Sequence, residues 1–175
     1  QWSSATTDLN SNAVYIMENY SFKGNFVHEL SHIYYDGFFK PTLSPLWMSE
    51  GFAVKMQTAV QTERENSWLL REKEAFKNGN YITFNEFLNA QNLSNYSRKD
   101  ATTWYAQAYS VIDYLLQNKT RDEFYQFSKN IKEGMSLAKA MYRAYGMPFN
   151  TTKALEYAWQ ADLQKDMYKQ PQGDK

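Results

Sequence analysis

The chain contains no cysteine, and only two of its 175 residues are histidine. Without cysteine, disulfides, thiol chemistry and thiolate metal ligands are excluded, while the redox compartment stays open. Neither charge is in excess: 19 basic residues stand against 19 acidic ones, interspersed along the chain. With no basic stripe there is nothing to neutralise a phosphate backbone, which argues against a nucleic-acid partner. No apolar run approaches the roughly 18 residues of a membrane span, and no signal peptide is visible. The abrupt opening QWSSATTDLN leads us to expect a processed chain whose leader has been removed, from an extracytoplasmic or secreted protein.

What is present describes a globular chain. Hydrophobic residues make up 43% and charged residues 22%, and the length suits one domain, residues 1–175, with a continuous core. Mean hydropathy is low at -0.71, yet 14 Tyr, 11 Phe and 5 Trp supply large apolar surfaces that such an index counts as polar.

The one convincing strand pattern is NAVYIMENY over residues 12–20, β-branched and aromatic with partial alternation. Elsewhere the pattern is helical. Ser21 is expected to cap a helix ending near Asp36, with Gly37 as its stop. Ser44-Pro45 reads as a cap and first-turn pair opening a helix to about Val60. A charged amphipathic helix should follow over 63–77, ended by Asn78-Gly79. Thr83-Phe84-Asn85-Glu86 is a capping-box spelling for a short helix. From Asp100 to Asn118 the apolar residues Trp104, Ala108, Val111, Ile112 and Leu115 recur at helical spacing. Three further helices are expected over 121–132, 136–145 and 151–169. The fold class is therefore mostly α, in an α+β arrangement with a small β element near the N-terminus.

Both histidines fall in His28-Glu29-Leu30-Ser31-His32. Two histidines placed at random in a chain this long fall four apart about once in a hundred trials, and a glutamate after the first makes that less than roughly one in a thousand. On a helix, positions i and i+4 share a face, so both imidazoles can reach one ion. Glu29, on the flank of that face, can reach a water on the metal without ligating it. A third ligand is required. Asp36 lies one turn beyond His32, but ligands at i, i+4 and i+8 would spread over about 12 Å of helix axis, whereas ligand atoms lie about 2 Å from zinc. The third ligand must therefore come from a separate element folded back on the first, and Glu50 in PLWMSEGFA is the best placed. Gly51 beside it would let two helix backbones approach closely.

These residues resemble a known group. FVHELSH, followed after 17 residues by Glu50 in WMSEGFA, is similar to the gluzincin zinc metallopeptidases, in particular to peptidase-MA-like domains of bacteria and to the catalytic domain of the aminopeptidase N family. The resemblance implies a zincin-like fold, with the histidine helix packed against a helix carrying the third ligand and a helical C-terminal part. It implies Zn2+ held by His28, His32 and Glu50, with Glu29 as general base and a peptide or protein as substrate. TWYAQAYSVIDYL resembles the helix whose tyrosine faces the reacting carbonyl in aminopeptidase N relatives. Tyr105 is at the matching position, with Tyr109 one turn on as the reserve. The likeness runs from about residue 20 to 160 and is concentrated in 26–57.

The sequence departs from that family at several points. The spacing to Glu50 is one residue shorter than in aminopeptidase N relatives. Met17-Glu18-Asn19 spells part of the motif whose glutamate holds a substrate's free amine. Here, however, it lies only nine residues before His28 and lacks the preceding glycine, so aminopeptidase specificity is not expected. Residues 12–20 could instead form an edge strand for an extended substrate. The N-terminal part is too short for the larger β-subdomain of gluzincins. The alternative reading is a catalytically inactive zincin-like or helical scaffold domain, and the oligomeric state is left open.

Overall fold

The computed structural model describes residues 5–165. Among them, a two-stranded hairpin, β1 (Ala5–Asp8) and β2 (Ala13–Ile16), precedes eight helices: α1 (Phe22–Phe39), α2 (Leu46–Thr58), α3 (Ser67–Lys77), α4 (Phe84–Asn89), α5 (Arg98–Asn118), α6 (Arg121–Lys132), α7 (Leu137–Tyr145) and α8 (Thr152–Lys165). The strands are antiparallel, with Thr7 opposite Val14 and Ala5 opposite Ile16. The expected extension of the last helix to Lys169 lies outside the described residues. No helix among the described residues is long and apolar enough to cross a membrane.

The helices α1, α2 and α5 pack in sequence, with α2 in the middle and the hairpin resting on α1. The five apolar residues expected on one face of α5 are all fully buried. They meet Trp47 and Met48 of α2, Phe87 of α4 and Trp159 of α8 in one continuous core. Gln107 lies on the same buried face and is satisfied in both senses: its Nε2 donates to the Ile82 carbonyl and its Oε1 accepts from the Ile82 N–H, each at 2.9 Å. That pair clamps the strand of chain leading into α4 against α5. Capping follows the spelling at Thr83, whose hydroxyl accepts from the backbone N–H of Glu86. Ser97, which the expected start at Asp100 passed over, accepts from the Asp100 N–H and opens α5 at Arg98, each contact worth about 1 kcal/mol.

Three boundaries differ from expectation. The first helix does not stop at Gly37 but continues to Phe39, whose ring is completely buried. Burying a phenyl ring stabilises by about 1.5–3 kcal/mol, which outweighs the roughly 1 kcal/mol a helical glycine costs. The helix ends one residue later, where Lys40 takes an extended backbone (φ -51°, ψ 139°) ahead of Pro41. The third helix begins at Ser67 rather than Glu63, because Thr62 donates its N–H and hydroxyl to the Glu65 carboxylate and holds a turn. Ser44 is not a cap: α2 is preceded by Pro45 without a side-chain cap bond, and the Ser44 hydroxyl donates to Asp36 instead.

Gly51 performs the close approach expected of it, with α5 as the neighbour. A methyl group there would stand 2.5 Å from the Ala108 carbonyl oxygen and 2.7 Å from Ile112 Cγ1. The first of these is backbone and cannot rotate aside. Gly51→Ala should therefore destabilise the fold by about 1–3 kcal/mol, read as a lower denaturation midpoint in a urea titration. A midpoint equal to wild type would mean that α2 and α5 are not held this tightly.

Candidate metal centre

Residues His28, Glu29 and His32 lie on α1, with the two imidazoles one turn apart and their ring centroids 5.1 Å from each other. The chain then reverses through residues 40–45 and sets α2 against α1, which brings Glu50 up to both rings. Glu50 Oε2 lies 3.3 Å from His28 Nε2 and 3.7 Å from His32 Nε2, and one ligand atom from each of the three residues lies within 4.8 Å of the others. Four ligands arranged tetrahedrally at about 2.0–2.2 Å from zinc would be separated by about 3.3–3.6 Å. The His28 separation falls at the short end of that spacing and the His32 separation just beyond its long end. The side chains retain 17%, 13% and 17% exposure for His28, His32 and Glu50, enough to admit a small ion from the cleft.

The chemistry of the donors also fits a cation. Glu50 Oε2 is buried and accepts no hydrogen bond, although an unpaired buried carboxylate oxygen carries a heavy desolvation penalty. Each imidazole is held at its other nitrogen. His28 Nδ1 meets Gln57 Oε1 at 3.1 Å, and His32 Nδ1 meets Asp36 Oδ2 at 3.0 Å and Ser49 Oγ at 2.8 Å. A proton on Nδ1 in both rings leaves both Nε2 lone pairs directed at the space beside Glu50, the outer arrangement that orients histidine ligands. Ser44 and Ser49 in turn donate to the two oxygens of Asp36.

Asp36, too far along the helix to be a ligand, thus stands behind the His32 ring and supports it. Burial pulls the His32 pKa down, but the Asp36 hydrogen bond and the negative charges of Glu50, Asp36 and Glu29 outweigh it and leave it above its ordinary value. For Asp36 itself, burial raises the pKa while the bonds from His32, Ser44 and Ser49 hold it below the usual carboxylate range. The sequence signals for these supports are weak. Asp36 is i+4 from His32, and Gln57 is two turns after Glu50 on the same helix; both spacings are common on any helix.

Glu29 faces the same cleft without joining the three ligand atoms. Its carboxylate is held from the hairpin: the Thr7 hydroxyl lies 2.6 Å from Glu29 Oε2 and 2.9 Å from the Glu29 carbonyl oxygen. One hydroxyl proton cannot serve both fully, and the shorter, charge-assisted contact is the stronger. Nothing in the sequence marked Thr7, because ATTD carries no strand alternation.

The cleft above these residues has a volume of 1510 Å³ and is bordered by β1, α1, the 40–46 segment, the chain between α4 and α5, and Tyr105 of α5. Tyr105 is partly buried, and burial, then the charges of Glu50 and Glu29, raise its pKa well above the phenol range, so it is a neutral hydroxyl with a proton to donate. Tyr109, the reserve candidate, lies away from the cleft, with its ring facing Lys55 and lining a separate pocket. The strand expectation also needs correction. From the hairpin, Ala5, Thr6 and Thr7 of β1 line the cleft, not residues 12–20. Glu18 is exposed and does not line the cleft, and Asn19 accepts the Ser21 N–H at the entry to α1.

A family model described as the peptidase MA superfamily matches residues 2–165. No curated protein and no solved structure matches the chain.

Proposed function

The chain belongs to the peptidase MA superfamily, and on that premise we propose that it is a zinc-dependent peptidase of the gluzincin type, with His28, His32 and Glu50 as ligands. The observation that carries this reading is the buried Glu50 Oε2, without a hydrogen bond and flanked by two imidazole nitrogens whose partners direct their lone pairs at the same space. Two imidazoles and one carboxylate leave a fourth position open, the arrangement of catalytic rather than structural sites. Zinc, when bound there, supplies a Lewis acid that brings the pKa of a water toward neutrality and polarises a carbonyl.

The remaining work falls to the protein's own groups. Glu29, one oxygen held by Thr7, accepts the attacking water's proton on its carboxylate and hands it to the leaving amine. Tyr105 donates its hydroxyl proton as a hydrogen bond to the developing oxyanion, a contact of a kind worth about 3 kcal/mol. An extended peptide is accommodated in the cleft beside β1. No group that this scheme needs is missing, so an inactive scaffold is not favoured.

The test is a peptide-library digest with the purified protein. Cleavage should stop when a chelator strips the metal and return when one equivalent of zinc is restored. Cleavage that survives metal removal would overturn the mechanism, and a zinc-loaded protein that cuts nothing would transfer the case to the scaffold reading. The support behind His32 gives a second expectation. Asp36→Asn keeps the shape and removes the charge that makes the ring a better ligand, so zinc affinity should fall about 10–100-fold, measured by competition with a chromophoric chelator. Unchanged affinity would reduce Asp36 to a bystander.

A further inference from the structure

Beside the main cleft, and meeting it at His28 and Tyr105, lies a smaller pocket of 330 Å³. The two spaces share those two residues. Its walls come from four helices: His28 of α1, Val54 and Gln57 of α2, Trp68 of α3, and Thr102 and Tyr105 of α5. No Lys, Arg, Asp or Glu is among them. Val54 is almost fully buried, and the partly buried Trp68 packs against the core, so both walls are held by packing. The Gln57 amide oxygen is engaged by His28 Nδ1. Whole-ligand sites generally run from about 300 to 1,000 Å³, so a space of this size at the edge of a larger cleft suits one side chain.

We propose that this pocket is the specificity subsite of the peptidase, taking one uncharged aromatic or branched aliphatic substrate side chain from a residue next to the scissile bond. The inference rests on the peptidase reading and adds to it the substrate class. An apolar side chain entering here leaves water for Val54, the Trp68 indole and the Tyr105 ring. A carboxylate or ammonium would lose its hydration and find no opposite charge among the walls. Because His28 is both a wall of the pocket and part of the candidate metal centre, the occupant lies within a residue or so of the bond that is cut.

The experiment uses zinc-loaded protein and blocked hexapeptides that differ at one position: Phe, Leu, Asp or Lys. Wild type should favour Phe and Leu over Asp and Lys at a single position flanking the cut, by about 10–200-fold in kcat/KM. Thr102→Lys introduces a cation at the wall from a half-buried helix position and should turn the preference toward Asp. Trp68→Ala should flatten the Phe preference. Calorimetric binding of the same peptides to a Glu29→Gln protein gives a readout that needs no turnover and should show the same order. Cleavage whose preference is unmoved by both wall substitutions overturns the subsite and leaves the peptidase intact. If wild type cuts nothing, the peptidase reading fails, and equal binding of all four peptides then overturns the pocket as well.

Discussion

A Glu29→Gln protein should retain one zinc per chain and lose peptide hydrolysis by about 10²–10⁴-fold, the range over which a positioned general base acts. The amide has the size of the carboxylate it replaces and an oxygen that can still accept from Thr7, now 2.6 Å from Glu29 Oε2. What disappears is the ability to take a proton. Metal binding should be spared because the three atoms within 4.8 Å of one another belong to His28, His32 and Glu50. The measurement pairs initial rates on a cleavable peptide with elemental analysis of the same sample. Full activity in the variant would sink the assignment of the base. Loss of zinc together with activity would place Glu29 among the ligands.

The contrast between what was legible and what was not follows from the range of the interactions involved. The HELSH face could be read because helical periodicity alone puts His28 and His32 on one side. The buried stripe of α5 is legible for the same reason, and all five residues named for it are fully buried. Glu50 needed one tertiary step, a chain reversal, and the new helix opening at Ser44-Pro45 signalled it. Groups that act through space left no local pattern. Thr7 reaches Glu29 across 22 residues, Gln57 reaches His28 across 29, and Gln107 secures Ile82 across 25. Ser44 spelled a helix cap and was drawn to Asp36 instead, since a partly buried carboxylate is a stronger acceptor to satisfy than a helix end open to water is a donor. Gly37 spelled a stop that the burial of Phe39 overrode. In each case the pull that won came from a residue distant in sequence or from the packed core.

Replacing Glu50 with glutamine separates a ligand from a structural residue by the sign of its effect. In the metal-free wild type one oxygen of the Glu50 carboxylate, Oε2, is buried without a hydrogen bond, and the charge of Glu50 adds to those of Glu29 and Asp36 around His32. Like charges gathered in one partly buried space destabilise it, which is the usual penalty of a preorganised site. Glu50→Gln removes one of them and offers amide protons to the imidazoles, so the metal-free variant should melt at or above the metal-free wild type. Zinc should reverse the order. At a metal concentration a thousandfold above Kd, binding adds about 4 kcal/mol to a protein that binds only when folded. At about 2–4 °C per kcal/mol for a chain of this length, that raises the wild-type Tm by about 8–16 °C. The variant should show no such rise. A zinc-dependent shift that persists in Glu50→Gln would remove Glu50 from the ligand set. A metal-free variant that melts far below wild type would make Glu50 a fold-holding residue, and the partnerless oxygen that carries the zinc reading would then need another explanation.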